Sequence, residues 1–269
     1  LRPTLGRVSR RGCMALSWTL DKLGPLAHGA DDCGLVLEAL AGPDAQDPAC
    51  LPEPWFYRRQ GLPARRLRLA RLEGAEVSGQ PEVPANFERA LRVLEQWAQL
   101  DVARLPPLPY TEVASLILFS EASAAFDSLL MDGAARELAA EETHPVPLAL
   151  RNIPAKDYIN ALRLRQRMQR EVLAWLSAYD ALVTPTIKRV APPLDARFSQ
   201  YFGDDRRQEV TTVGNLLGLP AITVPTGFGQ RGLPTALQFV GAPGSENLLL
   251  ALAEAYQQRT DWHRHLPPG

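Results

Sequence analysis

The chain has 269 residues, 46% of them apolar and 22% charged, a composition that suits one large domain or two modest ones and points away from disorder. No run approaches the roughly 20 continuous apolar residues that span a bilayer, so no membrane partner is expected. The net charge of −1 argues against a nucleic-acid-binding surface. Lys22, Lys156 and Lys188 are the only lysines among 29 basic residues, and with 24 prolines this bias reads as genome composition rather than function. Cys13, Cys33 and Cys50 are odd in number and lack C-x-x-C spacing. Buried free thiols in a reducing compartment, and hence a cytoplasmic protein, are the expectation.

Leu1 to Ser17 is basic and glycine-punctuated, and reads as loops with one short strand. Asp21-Lys22-Leu23-Gly24-Pro25 is a turn. A helix is expected from Ala30 to Ala41, with Gly29 as N-cap, Asp31 and Asp32 in the first turn where the dipole favours carboxylates, and Gly42-Pro43 as terminator. Cys33, Val36, Leu37 and Leu40 would form its inward face. Asp44 to Ala64 is a proline-rich connection. Leu67 to Leu72 alternates leucine and arginine, as a half-exposed strand does. Phe87, Leu91, Leu94 and Ala98 recur at helical spacing and predict a helix from Pro84 to Leu100, followed by a strand over Val102 to Leu105. Thr111 to Ala140 reads as helix interrupted near Asp132-Gly133. Pro145 to Pro154 breaks the pattern. Ala155 to Ala178 is the longest predicted helix, with arginines on its wet face.

Asp180 to Pro185 is a short buried strand, and Lys188 to Gln208 a surface loop or lid. The stretch Asn215 to Phe228, NLLGLPAITVPTGF, closes a helix that starts near Val210. Gly218 suits a left-handed cap, and Pro220 forbids a return to helix. Ala221 to Pro225 then reads as a strand buried on both faces at the centre of a sheet. A strand at Thr235 to Val240, a helix at Glu246 to Arg259 and a polar, proline-ended tail complete an α/β pattern.

The residues on their own offer no convincing catalytic constellation. No serine has the G-x-S-x-G flanking of a nucleophile elbow, and Ser78 and Ser245 read as turn residues beside glycine. No H-E-x-x-H occurs, and His263 and His265 read as a solvated tail rather than a metal site. His28 reads as a surface or packing residue. The GRVSRRG run at Gly6 to Gly12 lacks the strand-to-helix context of a phosphate-binding loop. Neither a cofactor nor a metal is expected.

Taken together, the blocks are more informative. The run GRVSRRGCMALSWTLDKLGPLAHGADDCGLVLEALAGPDAQD resembles the segment that follows the catalytic serine region in amidase signature enzymes: G-R-x-S, then S-x-x-D-x-x-G-P, then a short acidic-capped helix ending A-G-x-D. DALVTPT, NLLGLPAITVPTGF, GLPTALQFVG and ENLLLALAEAYQQRTDWH are similar to the remainder of that family, in the same order. The SEASAAFD and ALSWTLDK blocks are closest to its general bacterial amidases. The resemblance implies an α/β fold with a mixed, mostly parallel sheet flanked by helices, and residues 1–269 as the carboxyl-terminal portion of a single amidase domain lacking its amino-terminal part.

The resemblance also implies hydrolysis of carboxamide C–N bonds by a serine, a second serine with a cis peptide bond and a lysine kept neutral by burial. Backbone N–H groups would form the oxyanion hole. These groups belong to a signature upstream of the matched region, so no catalytic residue is assigned and the chain is expected to be inactive alone. Ser17, Trp18 and Asn215 are the candidates for lining a substrate pocket, with core packing the alternative for Trp18. Asp21 reads as structural, holding the Gly24-Pro25 turn or pairing with Arg7. The expected partners are a small-molecule amide and either the missing amino-terminal half or a second copy of the chain. Two other readings stand beside this one: a non-catalytic pseudo-amidase scaffold or binding subunit, and a glutaminase of the glutamyl-tRNA amidotransferase A-type. That sister branch carries an arginine after its E-A-S block to hold the glutamine carboxylate, whereas Glu121-Ala122-Ser123 is followed by Ala124, Ala125, Phe126 and Asp127. An acidic residue of the same branch meets Gln208 or Glu209, an ambiguous match.

Overall fold

Strand Leu67–Leu72 (β1) sets the architecture because its two faces are both covered. Leu67 and Leu69 enter one apolar core and Ala70 and Leu72 a second, on the opposite side of the sheet. The alternation of leucine and arginine predicts a half-exposed strand; the strand is instead largely buried, with its arginine heads leading outward to carboxylates. Arg68 reaches Asp101 at 2.8 Å and Arg71 reaches Glu88 at 2.6 Å. Long arginine stems can cross an apolar surface while the guanidinium stays wet, a freedom that a binary pattern does not express.

The computed structural model describes residues 1–74, 79–137, 152–197, 201 and 209–265. Among them the strands form one five-stranded sheet: β1, Ala98–Ala103 (β2), Ala181–Pro185 (β3), Ala221–Phe228 (β4) and Pro234–Val240 (β5). The spatial order is β2-β1-β3-β5-β4. β1 is parallel to both β2 and β3, while β5 is antiparallel to both β3 and β4. Only β5 therefore runs against the rest, which is the mixed, mostly parallel sheet expected. Helices Ala30–Leu40 (α1), Glu82–Leu94 (α2) and Glu246–Gln257 (α7) contribute to the first core. Helices Tyr110–Ala125 (α3), Ala155–Leu176 (α5) and Glu209–Leu216 (α6) contribute to the second, and the short Asp127–Met131 (α4) follows α3.

Several boundaries and faces differ from the sequence reading. The expected helix from Pro84 to Leu100 ends at Leu94, and Ala98, read as its last inward residue, is the first residue of β2. α1 buries Ala30, Cys33, Gly34 and Leu37, while Val36 and Leu40 are exposed, because Gly34 admits the Tyr57 ring where a side chain would collide. The N-terminus of α1 is capped from another helix, Ala30 N–H donating to Gln257 Oε1 at 2.9 Å. The cysteines are free, but only Cys33 is buried; Cys50 is half-buried and Cys13 exposed. The tail is not simply solvated: Trp262 and His265 pack edge-on to Phe228 at the end of β4. Ser78, Gln208 and most of the Pro145 to Pro154 break lie outside the described residues, as does part of the Lys188 to Gln208 loop.

The Asn215 to Phe228 stretch folds as a helix stop followed by a strand, as its punctuation requires. Gly218 sits at φ +72°, and a Cβ there would stand 3.0 Å from the Leu5 Cβ. β4 is an edge strand rather than a central one, and Thr223 is exposed. Pro225 lacks the N–H that an inner strand would use in its ladder, which fits an edge position. Along that edge, Arg2 pairs with Ala221 through two backbone hydrogen bonds of 2.8 Å.

Candidate functional site

The site is built on the turn that follows Leu16. Asp21 Oδ2 accepts the N–H groups of Leu16 at 2.8 Å and Ser17 at 2.9 Å, and Ser17 O accepts those of Leu20 and Asp21. Asp21 is structural in this sense, although it holds the start of the turn; Arg7 pairs instead with Glu246 at 3.6 Å. Ser17 is fully buried, and its hydroxyl donates to Glu121 Oε2 at 2.5 Å. The same carboxylate accepts the Thr19 N–H at 3.0 Å, the Thr19 hydroxyl at 2.8 Å and the Tyr158 hydroxyl at 2.7 Å. Arg165 of α5 donates to Thr19 O at 2.9 Å. Glu121 thus ties the turn to α3 and α5.

Burial alone would raise the Glu121 carboxyl, but these hydrogen bonds outweigh it and hold it below the usual glutamate range. Tyr158 moves the other way, up to about 12, through burial and its bond to the carboxylate.

Lys22 reaches across to the end of α6. Its Nζ donates to Leu219 O at 2.8 Å and Gly214 O at 3.1 Å, and Gln169 donates to Leu217 O at 3.0 Å. Gly214 O, in the last turn of α6, also accepts the Leu219 N–H, and Lys22 and Gln169 together satisfy carbonyls at and just past the helix C-terminus. Burial, with Arg2 and Arg165 nearby, pushes Lys22 down to about 6.

Two cavities meet at Leu16, Asp21 and Lys22. One, of about 470 Å³, is lined by Arg2, Leu20, Ser115, Phe119, Thr212 and Asn215 as well. The other, of about 420 Å³, adds Arg10, Met14, Trp18 and Asp47. Trp18 and Asn215 therefore each line one of two adjoining cavities, and Trp18, half exposed, is not a core residue. Ser17 stands behind the turn, its hydroxyl committed to Glu121 rather than turned to either cavity. Sequence reasoning missed Glu121, Lys22 and Arg2 as members of this neighbourhood. Glu121 had a usable signal, an acidic residue in the C-terminal half of a largely apolar α3, away from the first turn where Glu112 sits.

The amidase family model matches residues 1–250. The chain belongs to the amidase family. The A-subunit of glutamyl-tRNA(Gln) amidotransferase from Roseiflexus castenholzii is 33% identical over 99% of this chain and 60% of its own length. The corresponding protein from Moorella thermoacetica is 32% identical with the same coverage. Among solved structures, a chain from a vestigial protein complex described as revealing the origins of an s-triazine catabolic enzyme superposes with TM-score 0.81 at 25% identity, over 97% of this chain and 58% of that one. The glutamyl-tRNA(Gln) amidotransferase A-subunit from Thermotoga maritima gives 0.75 at 26%, over 96% and 57%. The chain spans about 60% of the length of the curated relatives it matches.

Amidase chemistry needs an accessible hydroxyl and an acceptor for its proton. In this chain the Ser17 hydroxyl is already hydrogen-bonded inside the protein, and the Lys22 amino group is spent on two backbone carbonyls. Neither residue is placed as nucleophile and base toward the other. The two cavities supply walls, a buried cation and amide and hydroxyl groups, which can position a small polar ligand.

Proposed function

We propose that this chain is the pocket-wall portion of an amidase that hydrolyses the C–N bond of a small carboxamide, with nucleophile, second serine and base supplied by residues outside it. The observation that carries the reading is the pairing of a family match over residues 1–250 with a neighbourhood whose serine and lysine are both internally committed. On this reading Trp18 and Asn215 face the substrate from two adjoining cavities, and Ser17 acts behind them by fixing the turn on Glu121. The remaining portion of the amidase domain is the partner that completes the site. Ammonia release from aliphatic and aromatic amides, measured with the purified chain, tests it: no turnover is expected, and sustained turnover would overturn the division of labour.

A second reading, a glutaminase of the amidotransferase A-type, is favoured by the relatives at 32–33% identity. Against it, Ala124, Ala125 and Phe126 occupy the end of α3 and its cap, where that branch has its carboxylate-holding arginine. Comparing glutamine with simple aliphatic amides as substrates of the completed enzyme separates the two.

A further inference from the structure

Lys22 is a nitrogen nucleophile that the proposed division of labour leaves idle. Its acceptors are two backbone carbonyls, Leu219 O and Gly214 O, and no carboxylate pairs with it among the described residues. Asp21, on the same wall, gives Oδ2 to the N–H groups of Leu16 and Ser17. Glu246, which favours a charge on Lys22, is taken up with Arg7 and the Thr4 N–H, while Arg2 and Arg165 oppose that charge. A neutral primary amine has two N–H donors and one lone pair. Both donors are used here, and the lone pair is not. Lys22 lines both adjoining cavities, so a small molecule in either can reach it. Arg2 lines the larger cavity with Nε and Nη2 buried and without acceptors among the described residues. Buried guanidinium nitrogens in that condition are rare, because each costs the desolvation of a charged donor. The two side chains meet at Gly214: its carbonyl oxygen is 3.1 Å from Lys22 Nζ, and a Cβ on it would stand 2.7 Å from Arg2 Nη2.

We propose that Lys22 is a carbon dioxide site, its Nζ taking up CO2 as a carbamate whose oxygens face Arg2. The Nζ lone pair attacks the carbon, one C=O π pair moves onto oxygen, and one N–H proton leaves to water. Amine and CO2 thus become N–CO2⁻ and H⁺, with no oxidant or reductant required. The hydrogen bonds also balance. The carbamate nitrogen keeps one N–H for Leu219 O, while Gly214 O retains the Leu219 N–H at 2.9 Å. The new anion supplies the acceptors that Arg2 lacks, in a shape a planar guanidinium matches. A solvated lysine is protonated at neutral pH and offers no lone pair, whereas burial and the two arginines hold Lys22 down to about 6. The site responds to dissolved CO2 rather than to an amide, and it does not rest on the hydrolase reading.

The full chain is equilibrated with carbon-13 bicarbonate near neutral pH at constant ionic strength, and carbamate is followed by NMR as a signal separate from bicarbonate. Ethylation of the trapped carbamate with triethyloxonium, followed by peptide mass spectrometry, locates the adduct. A saturable signal carried by Lys22 is expected, with the exposed Lys156 unmodified. The signal should vanish in Lys22→Met. Two further variants keep the nucleophile and alter only its partner: Arg2→Met removes the guanidinium, and Gly214→Ala displaces it while favouring helix α6. Uptake should weaken about tenfold or more in both. The proposal is overturned by the absence of a saturable signal, or by an adduct on other amines while Lys22 stays unmodified. Uptake by Arg2→Met and Gly214→Ala equal to that of the parent chain would overturn it as well. Because the adduct is located in the parent chain, the result does not depend on how well Lys22→Met folds.

Discussion

Glu121 joins three separate segments because one carboxylate has enough lone pairs for four donors. Glu121→Ala would strand the hydroxyls of Ser17, Thr19 and Tyr158 and the Thr19 N–H. Ser17 is buried and the Thr19 and Tyr158 donors are half-buried, so at about 1–3 kcal/mol for a buried donor left unpaired and less for the others, unfolding free energy in urea should fall by about 2 kcal/mol or more. A loss below about 1 kcal/mol would mean that the turn is held by other contacts. Lys22 gives a pH signature of opposite kind. Its folded-state pKa, about 6, lies below the unfolded value near 10.5, so between them the unfolded chain binds the extra proton. Stability from this group is therefore lowest below pH 6 and is regained as pH rises toward 10.5. Measured against Lys22→Met, the parent chain should gain in melting temperature as pH rises from about 6 to 10; a flat difference would show a lysine that stays charged when folded. Neither role was legible from residue type alone. A lysine after Asp21 and a second glutamate in a largely apolar helix become meaningful only when the fold brings residues about 100 to 200 positions apart together.

At the scale of elements, the junction between α6 and β4 is where local sequence decides most. Gly218 holds φ +72°, with Leu5 packed where a side chain would begin. Gly218→Ala should cost about 1–2 kcal/mol from the left-handed backbone, with the Leu5 collision added. A change within about 0.3 kcal/mol in denaturant melts would contradict this account of the turn. That junction was readable because glycine, proline and a β-branched run leave the chain few options. The end of α2 was not, since Ala98 fits a helical spacing and a strand equally well and only pairing with Leu67 settles it. The position of β4 was hidden for a related reason: an apolar run reports burial, whereas edge or centre depends on which strands lie beside it.

Across the whole molecule, the sheet sorts its helices into two layers, α1, α2 and α7 against one core and α3, α5 and α6 against the other. This α/β sandwich was legible from the order of short apolar runs and helical periods, and the family from several blocks in the right sequence. The site was legible only as a neighbourhood: Trp18 and Asn215 line adjoining cavities, while Ser17 lies behind them. On the proposed reading the chemistry divides accordingly, with cavity walls and the buried Arg2 guanidinium here and the bond-breaking groups supplied by residues outside this chain. The most direct test of that division is ammonia release from a panel of aliphatic and aromatic amides by the purified 269-residue chain. The account predicts release no faster than in the protein-free control; sustained, enzyme-proportional turnover would place nucleophile and base within these residues and contradict it.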